Sequence, residues 1–254
     1  MSEALKITLP EAELLFHVKQ GNAKLTERGA LFHVKQAETV LTNLLIAGGR
    51  APGNEWLRTV AANKEVFCAD KGASYAIAEG ISPTLVVGDC DSTSKAVYDK
   101  AQGLGAKLEI HPPAKDDTDL QLLLARLPKG NVIATGIWGG RFDHLFSNVY
   151  SLLAFKEKNQ CQVILADEQE LMVLLTENES LAMELHAVEK VHAISLLPLC
   201  TTSTVSIKGV RWPLDKAQLC QHNPYAISNE ALEKSIGCTC HAGMIGLYIH
   251  WKDE

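Results

Sequence analysis

The residues best suited to chemistry in this 254-residue chain lie in short acidic or glycine-rich runs. In Gly88-Asp89-Cys90-Asp91-Ser92, two aspartates flank one cysteine directly after an apolar stretch. If that loop is extended, alternate side chains share a direction and both carboxylates face one ion. Magnesium takes hard oxygen ligands, usually one or two carboxylates completed by phosphate oxygens and water. The twelve-residue calcium loop of an EF-hand is absent. In Lys115-Asp116-Asp117-Thr118-Asp119, either Asp117 or Thr118 is placed to cap the helix that follows, and acid in a first turn suits the helix dipole. Crowding Asp116, Asp117 and Asp119 goes beyond a cap, because the charges repel unless a cation relieves them. Lys115 offsets part of that charge or reaches a phosphate.

Gly139-Gly140-Arg141-Phe142-Asp143-His144 adds a second kind of site. Paired glycines allow a ligand close to the backbone, and Arg141 offers a planar fork for phosphate oxygens. Asp143 is suited to orient that arginine, to bind metal through water or to act as a base. His144 either starts the next helix or carries a proton. Arg50, after Gly48-Gly49, is a second phosphate contact on the same reasoning. Neither G-x-G-x-x-G nor G-x-x-x-x-G-K-[ST] occurs, which disfavours a dinucleotide dehydrogenase and a P-loop kinase. These residues predict magnesium-dependent transfer of a phosphoryl-type group from a nucleotide.

The elements that must position them follow from hydrophobic patterning. Continuous apolar runs end in Gly or Asp at 44–49, 66–70, 85–89, 132–136 and 163–167. Runs without alternation suit strands buried on both faces of a parallel sheet. Helical segments are predicted between them at 53–62, 73–79, 93–103, 119–127 and 144–157, giving an open, doubly wound α/β sheet with helices on both faces. Ligands of such sheets bind beyond the carboxyl ends of the strands, and the acidic and glycine motifs fall there. After about residue 168, strand patterns at 171–175, 193–197, 204–209 and 244–251 predict an all-β domain, a β-sandwich. The expected division is an N-terminal extension at 1–38, an α/β domain at 39–160 and the sandwich at 161–254. Within the extension, Leu-Phe-His-Val-Lys-Gln occurs at 15–20 and again at 31–36. Two copies are too few for a solenoid. A small hairpin turning near Gly21-Asn22 or Arg28-Gly29 is the expectation there.

Composition narrows the class. The chain is 46% hydrophobic and 21% charged, as in soluble globular proteins. Its net charge of -6 lacks the basic excess of a nucleic-acid binder. The seven cysteines are an odd number scattered through apolar runs, which reads as reduced thiols in the cytosol. Cys238-Thr239-Cys240 does not match a zinc half-site and reads as a strand with alternating cysteines. No apolar run reaches the ~18 residues of a membrane span, and the N-terminus lacks a signal-peptide pattern. A cytoplasmic protein is expected.

In order along the chain, these motifs resemble the thiamine pyrophosphokinase (thiamine diphosphokinase) family. The matching elements are Cys68-Ala69-Asp70-Lys71-Gly72-Ala73, the two aspartate runs and Gly139–His144, followed by Gly209-Val210-Arg211-Trp212-Pro213-Leu214 and Ile227-Ser228-Asn229-Glu230. The likeness extends from about residue 44 to the C-terminus. It implies an N-terminal α/β domain, a C-terminal β-sandwich and a homodimer with active sites at the interface. It further implies the reaction ATP + thiamine → AMP + thiamine diphosphate. Asp89, Asp91 and Asp119 would handle Mg²⁺ and the triphosphate, with Asp70 nearby and Lys115, Asp116 and Thr118 beside them. Arg141, Asp143 and His144 would line the nucleotide path. Ser228 and Asn229, from the partner subunit, would hold thiamine, and Asp119 or Asp143 would accept its hydroxyl proton. Trp212 or Trp251 could stack on the thiamine ring. The loop Gly48-Gly49-Arg50-Ala51-Pro52 departs from the family, which more often has Asn before Gly. The rival functions are a diphosphokinase or kinase for another hydroxyl-bearing heterocycle, such as a pterin, and a non-catalytic Mg-nucleotide-binding module.

Overall fold

The computed structural model describes residues 4–18, 41–89 and 93–251. The chain divides into two compact units, Leu41–Leu171 and a second made of Met1–Val40 with Met172–Glu254. The strands are β1 (Ala4–Thr8), β2 (Ala12–Val18), β3 (Thr42–Ile46), β4 (Val66–Ala69), β5 (Leu85–Gly88), β6 (Lys107–Ile110), β7 (Asn131–Thr135) and β8 (Val163–Ala166). They continue with β9 (Glu170–Thr176), β10 (Glu179–Leu185), β11 (Val191–Pro198), β12 (Thr202–Lys208), β13 (Leu214–Cys220), β14 (Ser235–Ala242) and β15 (Met244–Trp251). The helices are α1 (Asn54–Ala61), α2 (Gly72–Ala78), α3 (Lys95–Gly103), α4 (Asp119–Leu124) and α5 (Phe142–Asn159).

In the α/β unit, β8-β7-β3-β4-β5-β6 run side by side, and each pairing between them is parallel. The predicted runs supply the central strands because they have no polar face to show to water. Leu44, Leu45 and Ile46 on β3 are fully buried, each contributing about 1.5–3 kcal/mol over an exposed position. The chain steps outward from β3 to β6, then returns to the other side of β3 with β7 and β8. Right-handed crossovers therefore put α1–α3 on one face and α5 on the other. The topological switch point lies between β3 and β7, where ligand crevices form in such sheets. Strand β6 carries no continuous apolar run and was not predicted; it is an edge strand, covered only in part. Strand β8, on the expected border near 160, pairs with β7 and so belongs here.

The second unit is antiparallel. Its main sheet has the order β1-β2-β10-β14-β12-β13, and β15, paired with β11, contacts β12 and β14. Residues 4–18, expected to lie in an extension, supply two strands of this sheet: β1 pairs with β2, and β2 with β10. The cause is ordinary alternation, with Ala12, Leu14 and Phe16 buried between half-exposed neighbours. The hairpin turns at 9–11, where Leu9 donates its N–H to the Ala12 carbonyl at 2.9 Å. The turn expected near residues 21 or 28 and the second copy of the hexapeptide lie outside the described residues. Cys238 and Cys240 sit on β14 with both side chains inward, as the strand reading required. Burial pushes the Cys240 thiol up to about 12, so it is neither a ready nucleophile nor a ready metal ligand.

Candidate active site

Several sheet strands deliver their chemistry at their carboxyl ends. Asp70 follows β4 in a left-handed conformation (φ 51°) that a non-glycine residue adopts rarely. Its N–H donates to the Val87 carbonyl at 2.8 Å, tying the β4 end to β5. Gly88 lies against it, and a Cβ there would come within 3.4 Å of the Asp70 Cα. Asp89 is next. Lys115 then places its ammonium between two carboxylates, 3.3 Å from Asp89 Oδ2 and 3.1 Å from Asp119 Oδ1.

The electrostatics of this group are uneven. Burial raises the Asp119 pKa above the ordinary carboxylate value, and the charges of Asp89 and Asp70 raise it further while Lys115 opposes them. Burial also works against the Lys115 ammonium, but Asp119 and Asp89 outweigh it and its pKa is raised. Asp70, Asp89, Lys115 and Asp119 are thus one electrostatic cluster. Among the described residues no three His, Cys, Asp or Glu side chains stand close enough to form a metal cage. Asp91, the third expected ligand, lies outside the described residues with Cys90 and Ser92. The donor set still fits a magnesium-like ion, which needs only one or two carboxylates when phosphate oxygens and water complete its shell.

The neighbouring positions divide. Thr118 is the N-cap of α4: its hydroxyl accepts from Gln121 N–H at 3.2 Å, and Gln121 Oε1 accepts from Thr118 N–H at 2.9 Å. This capping box settles the choice of cap between Asp117 and Thr118. Asp116 and Asp117 are exposed. Arg141 and Asp143 pair with each other at the start of α5, Nε to Oδ1 at 3.1 Å and Nη2 to Oδ2 at 2.5 Å. That bond holds the Asp143 carboxyl below its ordinary value, and Asp143 Oδ1 also accepts the His144 N–H at 3.0 Å. All three side chains are exposed, so a ligand has free access to them.

The switch-point loop corrects one expectation. Arg50 does not stand free for phosphate: its Nε and Nη2 donate to Asp167 Oδ2 at 3.1 and 2.6 Å, and Nη2 donates to Glu170 Oε1 at 2.8 Å. Asp167 sits at the end of β8, and the strand-end rule that singled out Asp70 and Asp89 applied to it equally. Gly49 donates its N–H to the Gly136 carbonyl at 2.7 Å, and Arg50 its N–H to the Trp138 carbonyl at 2.5 Å. Gly136 has φ 65°, and a Cβ there would lie 2.3 Å from the Ala47 carbonyl oxygen. Only glycine allows the two loops to meet so closely.

In the second unit, Ser228 (φ 59°) and Asn229 are in the 209–232 segment. Ser228 N–H donates to Ser195 Oγ at 3.1 Å. The Asn229 side chain accepts from Trp212 N–H at 3.1 Å and from Glu230 N–H at 2.9 Å, and donates to the Trp212 carbonyl at 2.8 Å. Its amide therefore holds the Trp212 backbone. Trp212 itself is 55% exposed, with the Arg211 guanidinium 5.4 Å from its ring centroid, whereas Trp251 is only 5% exposed. Of the two tryptophans weighed for stacking, only Trp212 presents a ring to solvent.

Comparison with known proteins decides the family. Residues 57–165 match the thiamin pyrophosphokinase catalytic domain, and residues 183–245 match the thiamin pyrophosphokinase vitamin B1 binding domain. The chain belongs to the thiamin pyrophosphokinase family. The chain spans a little under two thirds of the length of the first curated relative it matches. The chain is similar to thiamine pyrophosphokinase 1 of Oryza sativa subsp. japonica, 28% identical over 64% of this chain and 64% of the relative. It is also similar to thiamine pyrophosphokinase of Bacillus subtilis, 28% identical over 64% of this chain and 76% of the relative. The crystal structure of the Bacillus subtilis enzyme shares the fold, with a TM-score of 0.71 and 23% identity over 84% of this chain and 100% of that one.

Proposed function

We propose that this member of the thiamin pyrophosphokinase family transfers the diphosphoryl group of ATP to the hydroxyl of thiamine, giving thiamine diphosphate and AMP, with magnesium as its metal. The observation that carries the reading is the cluster of Asp70, Asp89, Lys115 and Asp119 at the strand ends of the matched catalytic domain. Attack of the thiamine hydroxyl on the β-phosphorus, with AMP leaving, asks mainly for alignment and charge neutralisation. Asp89 and Asp119 would hold the metal, and Asp91, two residues after Asp89 in sequence, would join them. When bound, it offsets the charge of the triphosphate oxygens. Lys115 is released from its carboxylates to a phosphate oxygen, with Asp116 at the exposed rim. Arg141, positioned by Asp143, meets the phosphates from α5, and His144 lies beside it. Asp119 or Asp143 accepts the hydroxyl proton.

Thiamine is a cation with an aromatic ring. An exposed Trp212, set by Asn229 with Ser228 next to it, supports a thiamine site in the vitamin B1 binding domain. Exposed Trp212, Ile227 and Leu232 in one unit, and Phe142 and Phe146 on α5 in the other, support a homodimer in which a partner covers apolar surface. Among the described residues all six cysteines are free and no helix is long and apolar enough to cross a membrane, in keeping with a cytoplasmic enzyme.

The test is direct: incubate the protein with ATP, Mg²⁺ and thiamine and identify the nucleotide released. AMP with thiamine diphosphate supports the reading. ADP with a monophosphate makes the chain a simple kinase. Nucleotide turnover that ignores thiamine moves the acceptor to another heterocycle, and Mg-ATP binding without turnover makes it a binding module.

A further inference from the structure

The loop after β3 is held from two sides at once. On one side its backbone is joined to the loop after β7: Ala47 N–H donates to Thr135 O at 2.8 Å, Gly49 to Gly136 and Arg50 to Trp138. That second loop runs on through Gly139 and Gly140 to Arg141 and Asp143 at the start of α5. On the other side, the Arg50 side chain crosses to the β8–β9 turn. Asp167 has a fully buried side chain whose Oδ2 takes two bonds from Arg50, while its Oδ1 accepts the N–H groups of Gln169 and Glu170 at 2.9 and 2.8 Å. Glu170 adds a second carboxylate to Arg50, and Glu168 Oε2 accepts the Gly53 N–H at 2.7 Å. Tyr75 closes the set by donating its hydroxyl to the Gly49 carbonyl at 2.7 Å.

Surface ion pairs contribute little, and this one is not a surface pair. A buried carboxylate with every bond aimed at a turn and one guanidinium fixes geometry more than it adds stability. What it fixes is Arg50, and through the Arg50 backbone the position of Trp138 and the loop that carries Arg141. We propose that Arg50, Asp167 and Glu170 are positioning residues for the nucleotide: they hold the 136–141 loop at the switch point without themselves meeting the substrate. This rests on the reading that Arg141 and its loop receive the ATP phosphates. It also explains the loop Gly48-Gly49-Arg50. The glycines give the backbone approach and the arginine gives the anchor.

Two arrangements of Arg50 make opposite forecasts. If Arg50 were itself a phosphate ligand, Asp167→Asn would release it, and affinity for Mg-ATP would hold or rise. If it is an anchor, Asp167→Asn lets the loop drift and affinity falls. The experiment measures the Mg-ATP dissociation constant by calorimetry and separate KM values for ATP and thiamine. It compares wild type, Asp167→Asn, Arg50→Lys and the charge-neutral pair Arg50→Met with Asp167→Asn, which removes the buried Asp167 charge together with its guanidinium. Circular dichroism first establishes that each variant is folded. The expected result is a rise of about 10- to 100-fold in the Mg-ATP dissociation constant and the ATP KM for Asp167→Asn and the double variant, from misplacement of order an ångström. The thiamine KM stays near wild type. Arg50→Lys falls between, since a lysine keeps the charge but lacks the fork. An unchanged or tighter Mg-ATP affinity in folded Asp167→Asn overturns the proposal, and so does an equal rise in both KM values. Wild-type protein that binds Mg-ATP without acting on thiamine removes the substrate reading alone. Wild-type protein that does not bind Mg-ATP removes the anchor with it.

Discussion

The acidic strand ends of the α/β unit and the 209–232 segment of the β unit are built on opposite principles. At the strand ends, like charges are held together: Asp89 and Asp119 share Lys115, and burial with the nearby charges of Asp89 and Asp70 raises the pKa of Asp119. In the 209–232 segment opposite charges are paired, as Arg211 with Glu230 at 2.8 Å. A neutral amide, Asn229, makes three bonds to backbone groups and presents an exposed indole. The first arrangement gathers negative charge that a cation would relieve. The second is satisfied already and offers a surface. The difference matches the two ligands proposed, a metal-bound polyanion and an aromatic cation.

Breaking the acidic side has the largest expected effect. Asp119→Asn removes a charge from the cluster while keeping its shape. It should lower kcat/KM for AMP formation by about 10²- to 10³-fold or more, on the scale of losing one preorganised electrostatic group. Asp89→Asn should do the same, and Mg-ATP should no longer raise the melting temperature of either. Turnover within error of wild type in both variants would show that the cluster is not the metal site. Next in size is Trp212→Ala, which should raise the thiamine KM by about 5- to 50-fold, the range of one stacking contact of 1–3 kcal/mol, and leave the ATP KM alone. Trp212→Phe should restore most of it. Equal loss for both substrates would deny the separation of the two regions.

Asn229→Ala tests whether the amide serves the tryptophan or the substrate. As an anchor, it should raise the thiamine KM in Asn229 variants only when Trp212 is present. The Asn229→Ala/Trp212→Ala double variant should be no worse than Trp212→Ala, giving a coupling of about 0.5–3 kcal/mol between neighbours. Additive effects would instead assign Asn229 a contact of its own with thiamine.

These two regions were not equally legible in the sequence. The acidic site could be read because its parts obey a rule of topology: apolar runs buried on both faces announce parallel strands, and ligands collect at their ends. The same rule reached Asp70 and Asp89, whereas the 115–119 run was read from its crowded charge; Asp167 ended a predicted run with no sign of which arginine would meet it. Arg50 was misread because a free arginine after two glycines looks the same in sequence as one anchored to residues over a hundred positions away. The capping role of Thr118 was open between two residues, and only Gln121 three residues on distinguished Thr118 from Asp117. In the β unit, alternating strands such as β10, β13 and β14 gave weak local signals. The exposure of Trp212 depends on how 209–232 is folded back by bonds such as Arg211 N–H to Glu230 O, 2.9 Å. No local pattern carries that.

The smallest effect sharpens the contrast most, because it is read without substrate. The Asp119 pKa is raised on folding by burial and by Asp89 and Asp70, against the help of Lys115. A carboxyl whose folded pKa exceeds its unfolded value of about 3.9 contributes its full stability below that value and loses it as pH rises through the folded value. At neutral pH the ionised Asp119 therefore costs the metal-free protein stability, and Asp119→Asn should raise its melting temperature by about 1–3 °C. The gain should shrink as pH falls and vanish below the unfolded carboxyl value, where both states of wild type are protonated. Added Mg-ATP should reverse the order, making wild type the more stable of the two. No comparable change with pH is expected for Asn229→Ala, because its amide does not titrate. A melting temperature for Asp119→Asn below wild type at every pH would mean that the aspartate is a net structural support. The acidic edge would then have been assembled for the fold and not for a cation.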